Sequence, residues 1–251
     1  MNANLKYHNA DFDVRRLNEN NIDRIQFAML PENSTVLEIG CATGFMSAYL
    51  QNQMGCTVTG VELNPDQAAV AREHCRYLIE GNIATASVQA QLDTHVAEKG
   101  KFAVVFMSQV IEHIAAPQDL LTRIRDWIMP GGCLVVSTCN VAHWRIRLNV
   151  MLGRWEYTDY GILDRTHLRF FTVHSFRRLL QECGFNIVDE GYSFEDICPF
   201  RLLIDKRVLA PTDLLRLIPF VGLGLREKYI YRFKNLIATQ FAFKAIPVDT
   251  V

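Results

Sequence analysis

Val36–Gly44 reads VLEIGCATG, an apolar run that stops at a glycine, passes three residues and meets a second glycine before Phe45–Met54, FMSAYLQNQM. A strand, a tight turn and a helix are the simplest reading of that order. Glycine is needed where the backbone turns sharply or must approach a ligand closer than a Cβ allows. Eighteen residues beyond Gly44, Glu62 closes the next apolar run, TVTGVEL. A carboxylate at a strand end can accept hydrogen bonds from both hydroxyls of a ribose, so strand, glycine turn, helix, strand and acid together describe a nucleoside site.

The glycine spacing narrows the nucleoside. A dinucleotide fingerprint needs G-x-G-x-x-G to seat a pyrophosphate on the helix N-terminus. Here Gly40 and Gly44 are four apart with Ala42 between them, and the chain has no G-x-x-x-x-G-K-[ST] loop. A nicotinamide dehydrogenase is therefore disfavoured.

Further runs extend the pattern. Thr35–Gly40, Thr57–Leu63, Phe102–Met107 and Gly132–Thr138 are almost continuously apolar and rich in β-branched residues, as strands of a parallel sheet covered on both faces must be. Phe45–Met54, Pro65–Cys75 and Pro117–Met129 read as the intervening helices, with Pro65 and Pro117 suited to a first helical turn. Arg76–Glu80 is expected to be a third strand and Ile83–His95 a short helix. Asp13–Met29 reads as an N-terminal helix, Thr172–Cys183 as a helix stopped by Gly184, and Phe185–Phe194 and Leu236–Ile246 as the closing strands. The alternation predicts a doubly wound α/β sheet with its ligand at the C-terminal strand ends.

With 251 residues, 49% hydrophobic and 21% charged, the chain can bury a full core and falls outside the disordered and low-complexity classes. A net charge of −1 gives no overall field toward nucleic acid. Residues 1 to 140 carry 10 Lys/Arg against 15 Asp/Glu, whereas residues 141 to 251 carry 16 against 12. Seven scattered cysteines without metal spacing read as reduced thiols, and no metal is expected. The N-terminus lacks the apolar core of a signal peptide, and no apolar run reaches the roughly 18 residues of a membrane span. A cytoplasmic protein is expected. Basic residues interleaved with Leu, Ile and Phe over residues 196 to 234 leave open a peripheral contact with the inner membrane face, against the commoner reading of a solvated helix face.

These blocks resemble the class I S-adenosylmethionine-dependent methyltransferases. VLEIGCATG is similar to their first motif, GVEL to their ribose-binding acid, FAVVFMSQVIEHIAAPQDLL to their fourth-strand segment and IMPGGCLVVSTCN to the turn into their fifth strand. The resemblance implies a Rossmann-like, mostly parallel seven-stranded sheet in the order 3-2-1-4-5-7-6, and S-adenosylmethionine as cofactor. It assigns Glu38, Gly40, Cys41, Ala42 and Gly44 to the turn against the methionine part, with Phe45 opening the next helix. Glu62 takes the ribose, Leu63 packs on the adenine, and Ser108, Gln109 and Val110 line the opposite wall. Asn82 stands where the family commonly has an Asp on the adenine amino group, and Ala42 replaces a usual glycine.

The chain thus reads as one methyltransferase domain. It has an N-terminal helical segment (1–30) that folds over the cofactor, a cofactor-binding core (31–140), a cap (141–171) and a C-terminal part of the sheet (172–251) with a basic insertion near 196–234. A base for a hydroxyl acceptor must come from near the cap: His113, His143, His167, Asp164 or Tyr160. GILDRTHLRFFT, residues 161 to 172, resembles a segment of a branch associated with glycan and cell-surface polysaccharide synthesis. In it Asp164 and His167, three apart and flanked by Arg165 and Arg169, suit an imidazole oriented by a carboxylate near an anionic acceptor. The same residues also suit surface ion pairs and cap packing. His167, Asp164 and His113 are the catalytic candidates.

The acceptor expected is a sugar or glycan hydroxyl, anionic or lipid-linked acceptors included. A lipophilic aromatic hydroxyl, as in the similar ubiquinone-pathway O-methyltransferases, is the alternative, and an amino-sugar nitrogen a third. A non-catalytic partner subunit is the reading from another class. Trp144, Trp155, Tyr157, Tyr160, Phe170 and Phe171 serve equally as ring-stacking surface or cap core.

Overall fold

The computed structural model describes residue 9, residues 11–194 and residues 234–248. The expected basic insertion at 196–234 lies almost wholly outside the described residues. Strand and helix alternate as the apolar runs require: α1 (Ile22–Phe27), β1 (Thr35–Ile39), α2 (Phe45–Met54), β2 (Thr57–Glu62), α3 (Pro65–Ala71), β3 (Tyr77–Glu80), α4 (Ala86–Lys99), β4 (Phe102–Ser108), α5 (Pro117–Trp127), β5 (Ile128–Cys139), α6 (Trp144–Met151), α7 (Val173–Glu182), β6 (Phe185–Phe194) and β7 (Ala238–Pro247). The seven strands form one sheet in the order β3-β2-β1-β4-β5-β7-β6, as the resemblance implied. The first five are parallel, and β7 runs antiparallel between β5 and β6.

Alternation along each central strand sends side chains into two cores. Leu37, Ile39, Val105 and Met107 join Leu121, Ile124, Trp127 and Phe176 on one face, while Val36, Val58, Val104 and Phe106 join Phe27 and Leu50 on the other. All of these are essentially removed from water. Each fully buried Leu, Ile or Val side chain contributes about 1.5–3 kcal/mol, which makes the sheet a rigid mount for the residues at its strand ends.

Two elements differ from expectation for local reasons. The N-terminal helix is broken into a single turn at Val14–Arg16 and α1. Asn21 divides them because its side chain accepts hydrogen bonds from the Asp23 and Arg24 amides and caps a new helix there. The helix after β3 starts at Ala86, not Ile83, because the Asn82 side chain accepts from the Ala84 amide and its carbonyl accepts from the Thr85 amide, which closes a turn first.

Candidate active site

The C-terminal ends of β1, β2 and β4 open into a cavity of about 640 Å³. Its floor is the glycine turn. Gly40 has φ +75°, and a Cβ there would lie 2.5 Å from Val110 Cγ2. Ala42 adopts the left-handed conformation at φ +50°, so the position occupied by alanine makes the conformational demand that glycine meets freely, at roughly 1–2 kcal/mol for a residue with a Cβ. Gln109, on the opposite wall, is also left-handed at φ +54°. Strain of this kind persists where surrounding structure enforces it, commonly at functional sites.

Glu62 ties the turn to β2. Its Oε2 accepts from the Ala42 amide at 2.8 Å and its Oε1 from the Asn64 amide at 2.8 Å. The carboxylate is thereby fixed at the rim with further lone pairs facing the cavity it lines. Behind the turn, Glu38 is buried and accepts a short hydrogen bond from the Ser47 hydroxyl, which also receives the Cys75 thiol at 3.2 Å. Burial, and next the neighbouring Cys75, push the Glu38 carboxyl up to about 8.

That shift carries a sign for stability. With the folded value above the ordinary 4.5, the native protein retains a proton that the unfolded chain has released. The associated stability is complete at low pH and is lost as pH rises through about 8. Ligand-free Glu38→Gln should therefore gain several degrees of melting temperature on the parent between about pH 5 and pH 8.5. Parallel melting curves across that range would show that Glu38 is already ionised in the fold.

Of the twelve expected cofactor residues, eleven line the cavity: Glu38, Gly40, Cys41, Ala42, Phe45, Glu62, Leu63, Asn82, Ser108, Gln109 and Val110. Gly44 does not. It has φ +78°, and a Cβ there would meet His74 Cβ at 2.9 Å and the Ala71 Cα at 3.1 Å, so this glycine serves the packing of the turn on α3. Asn82 lines the cavity with its amide oxygen turned back to the Ala84 amide at 2.9 Å.

The cap forms the other end. The Leu168 and Arg169 amides both donate to the Glu112 carbonyl at 2.9 Å, bolting the cap to the loop after β4. His113, Tyr160, Asp164 and His167 line the cavity here, while His143 does not and lies buried at the start of α6. Burial, reinforced by Arg145, lowers the His143 pKa to about 4.

The imidazoles of His113 and His167 meet edge to face with centroids 4.8 Å apart. His167 Nδ1 lies 3.1 Å from the Ile162 carbonyl. A carbonyl only accepts, so Nδ1 carries the proton and the neutral ring keeps its lone pair on Nε2. The expected orientation by Asp164 gives way to this carbonyl, and Asp164 Oδ1 instead receives the Thr166 amide at 2.8 Å and the Thr166 hydroxyl at 2.6 Å.

The flanking arginines are also committed elsewhere, Arg165 to Asp159 at 2.8 Å and Arg169 to the Ala115 carbonyl. Of the cap aromatics only Tyr160 lines the cavity; Trp155, Tyr157 and Phe170 cluster edge-on, and Phe171 packs on Phe176 in the core.

Glu112, within the VIEH block, is not among the candidates that the sequence offers. The side chain is buried and lines the cavity, its Oε2 has no hydrogen-bond partner, and burial raises its carboxyl to about 7. With the Gln109 amide turned to satisfy both its ends, the nitrogen donates to Glu112 Oε1 at 3.3 Å and the oxygen accepts from Ser137 at 2.8 Å.

Five acidic side chains line the cavity, Asp23, Glu38, Glu62, Glu112 and Asp164, with neither Lys nor Arg among the described lining residues. A lining with no cation of its own gives a dinucleotide diphosphate no counter-charge. It suits a nucleoside ligand that itself carries cationic groups.

The family described as "Methyltransferase domain" matches residues 13–190. The ubiquinone biosynthesis O-methyltransferase of Cereibacter sphaeroides strain KD131 is 28% identical over 179 residues, 70% of each chain, and that of Escherichia coli O7:K1 is 30% identical over 106 residues, 42% of each. Among solved structures, a SAM dependent methyltransferase from Archaeoglobus fulgidus is similar with TM-score 0.57 at 17% identity, over 89% of this chain and 91% of that one. Phosphoethanolamine N-methyltransferase 2 of Haemonchus contortus, in complex with S-adenosyl-L-methionine, gives TM-score 0.51 at 17% identity over 90% and 53%.

Proposed function

Because the chain belongs to the class I S-adenosylmethionine-dependent methyltransferases, we propose that it methylates a hydroxyl of an uncharged, polyhydroxylated acceptor of the sugar type. Bound in the cavity, the cofactor supplies a methyl group that its sulfonium makes strongly electrophilic. The chain's own task is then to align an oxygen and take its proton.

The observation that carries the proposal is the His167 tautomer. With Nδ1 facing the Ile162 carbonyl, Nε2 is the basic nitrogen in a wall the acceptor shares with Gln109, Glu112 and Gln240. Glu62 holds the ribose hydroxyls, the Gly40 turn gives the cofactor chain its close approach, and His167 Nε2 accepts the acceptor's proton as the oxygen is methylated. The amide and carboxyl groups around it provide hydrogen bonds for neighbouring hydroxyls, which a site lined this way recognises strongly. The lining, rich in acidic side chains and without Lys or Arg among the described residues, supports an uncharged acceptor over the anionic one expected from Arg165 and Arg169.

An aromatic hydroxyl is the second reading, favoured by the relatives named for ubiquinone biosynthesis. Incubation with S-adenosylmethionine and matched panels of neutral sugars, nucleotide-free glycosides and phenols, read by the mass of one added methyl, separates the two. Methylated sugar with unmodified phenols supports the proposal, and the reverse overturns it. Among the described residues no helix is long and apolar enough to cross a membrane.

A further inference from the structure

The segment before β1 is fastened across the cavity from several sides. Asn20 exchanges hydrogen bonds with both backbone groups of Phe194, its Oδ1 accepting from the Phe194 amide at 2.7 Å. Gln26 Nε2 donates to Ser108 Oγ at 3.0 Å. Phe27 packs on Phe106 and Tyr49, and Ile25 occupies the space above Gly191 where a Cβ would lie 2.2 Å from its Cγ2. This docking puts Asp23 into the cavity wall that Ser108 also lines.

The register of the sheet locates that point. Glu38 pairs with Phe106, so two residues further along Gly40 and Ser108 stand level at adjacent strand ends. Asp23 therefore faces the part of the cavity bounded by the Gly40 turn, while Glu62 marks the ribose one strand away. A half-buried carboxylate without a cation is costly, and no Lys, Arg or His forms an ion pair with Asp23 among the described residues. Burial holds its carboxyl up to about 6, with the nearby Ser108 hydroxyl acting the other way.

We propose that Asp23 is a cofactor-binding residue, its carboxylate receiving the α-ammonium of the cofactor's methionine end across the cavity from Glu62. The inference rests on the methyltransferase reading. It makes the N-terminal segment part of the binding site, so that one carboxylate on a strand end and another on a docked helix hold opposite ends of one ligand.

S-Adenosylhomocysteine and 5′-methylthioadenosine share the nucleoside and thioether but differ in the amino-acid end, which isolates this contact. Affinities of both ligands, and of S-adenosylmethionine, are measured by titration calorimetry for the parent protein, Asp23→Asn and Asp23→Ser, with ligand-free melting curves as the check on folding. Both variants are expected to weaken S-adenosylhomocysteine about tenfold or more, the scale of a charge-assisted hydrogen bond, and to change 5′-methylthioadenosine less than about twofold. Equal losses for the two ligands, or no loss for either, would overturn the assignment. So would a loss confined to S-adenosylmethionine, since that points to the sulfonium. Failure of the parent to bind any of the three ligands would sink the cofactor reading itself, and Asp23 with it.

Discussion

His167→Ala is expected to lower turnover about 10²- to 10⁴-fold, the usual range for a lost general base, with S-adenosylhomocysteine affinity held within about twofold. The separation follows from position. His167 belongs to the cap, its Nδ1 on the Ile162 carbonyl and its ring against His113 and Phe170, whereas the residues assigned to the cofactor stand at the strand ends. Removal of the imidazole takes away the proton acceptor and leaves the glycine turn and Glu62 in place. The residual rate should climb with pH as the acceptor hydroxyl ionises without help, and His167→Gln should resemble His167→Ala because an amide accepts a hydrogen bond but not a proton. Turnover within a few-fold of the parent would remove His167 from the mechanism.

Glu62→Ala should weaken cofactor binding about 10²- to 10³-fold, because two losses coincide. The ribose hydroxyls lose a charged acceptor, with hydrogen bonds to charged groups contributing about 1.5–3 kcal/mol each. The Ala42 amide, which donates to Oε2 at 2.8 Å from a left-handed residue, loses the anchor that holds the turn. Glu62→Gln is the sharper variant. The carboxylate accepts from two amides at once, Ala42 and Asn64, and a carboxamide necessarily turns its NH₂ toward one of them. Nearly isosteric replacement should still cost about tenfold or more. Calorimetry on both variants checks this, and an unchanged affinity for Glu62→Gln would mean that Glu62 only braces the turn.

The central sheet was readable from residues because parallel strands covered on both faces leave an unambiguous trace, as in Phe102–Met107 between helix-period segments. The glycine turn was readable because positive φ at Gly40 and Gly44 restricts the residue type, although what Gly44 clears is α3 and not a ligand. Periodicity did not reveal that Asn21 caps a new helix, since one side chain's hydrogen bonds outweigh an apolar spacing that suits a longer one. The roles of Glu112 and Asp23 were illegible for a different reason. Each depends on segments distant in sequence, Glu112 on the cap whose Leu168 and Arg169 amides hold its carbonyl, Asp23 on the docking of α1 over the strand ends beside Ser108. His167 stands out in the sequence by its neighbours, yet the group on its Nδ1 is a backbone carbonyl, which no residue type announces.

Calorimetric titration of the purified protein with S-adenosylhomocysteine, repeated on Glu62→Ala, tests most directly whether the cavity at the ends of β1, β2 and β4 clasps this cofactor. One molecule bound per chain, with binding abolished or reduced at least about a hundredfold in the variant, is the predicted result. No heat at millimolar ligand, or equal affinity in the two proteins, would contradict it.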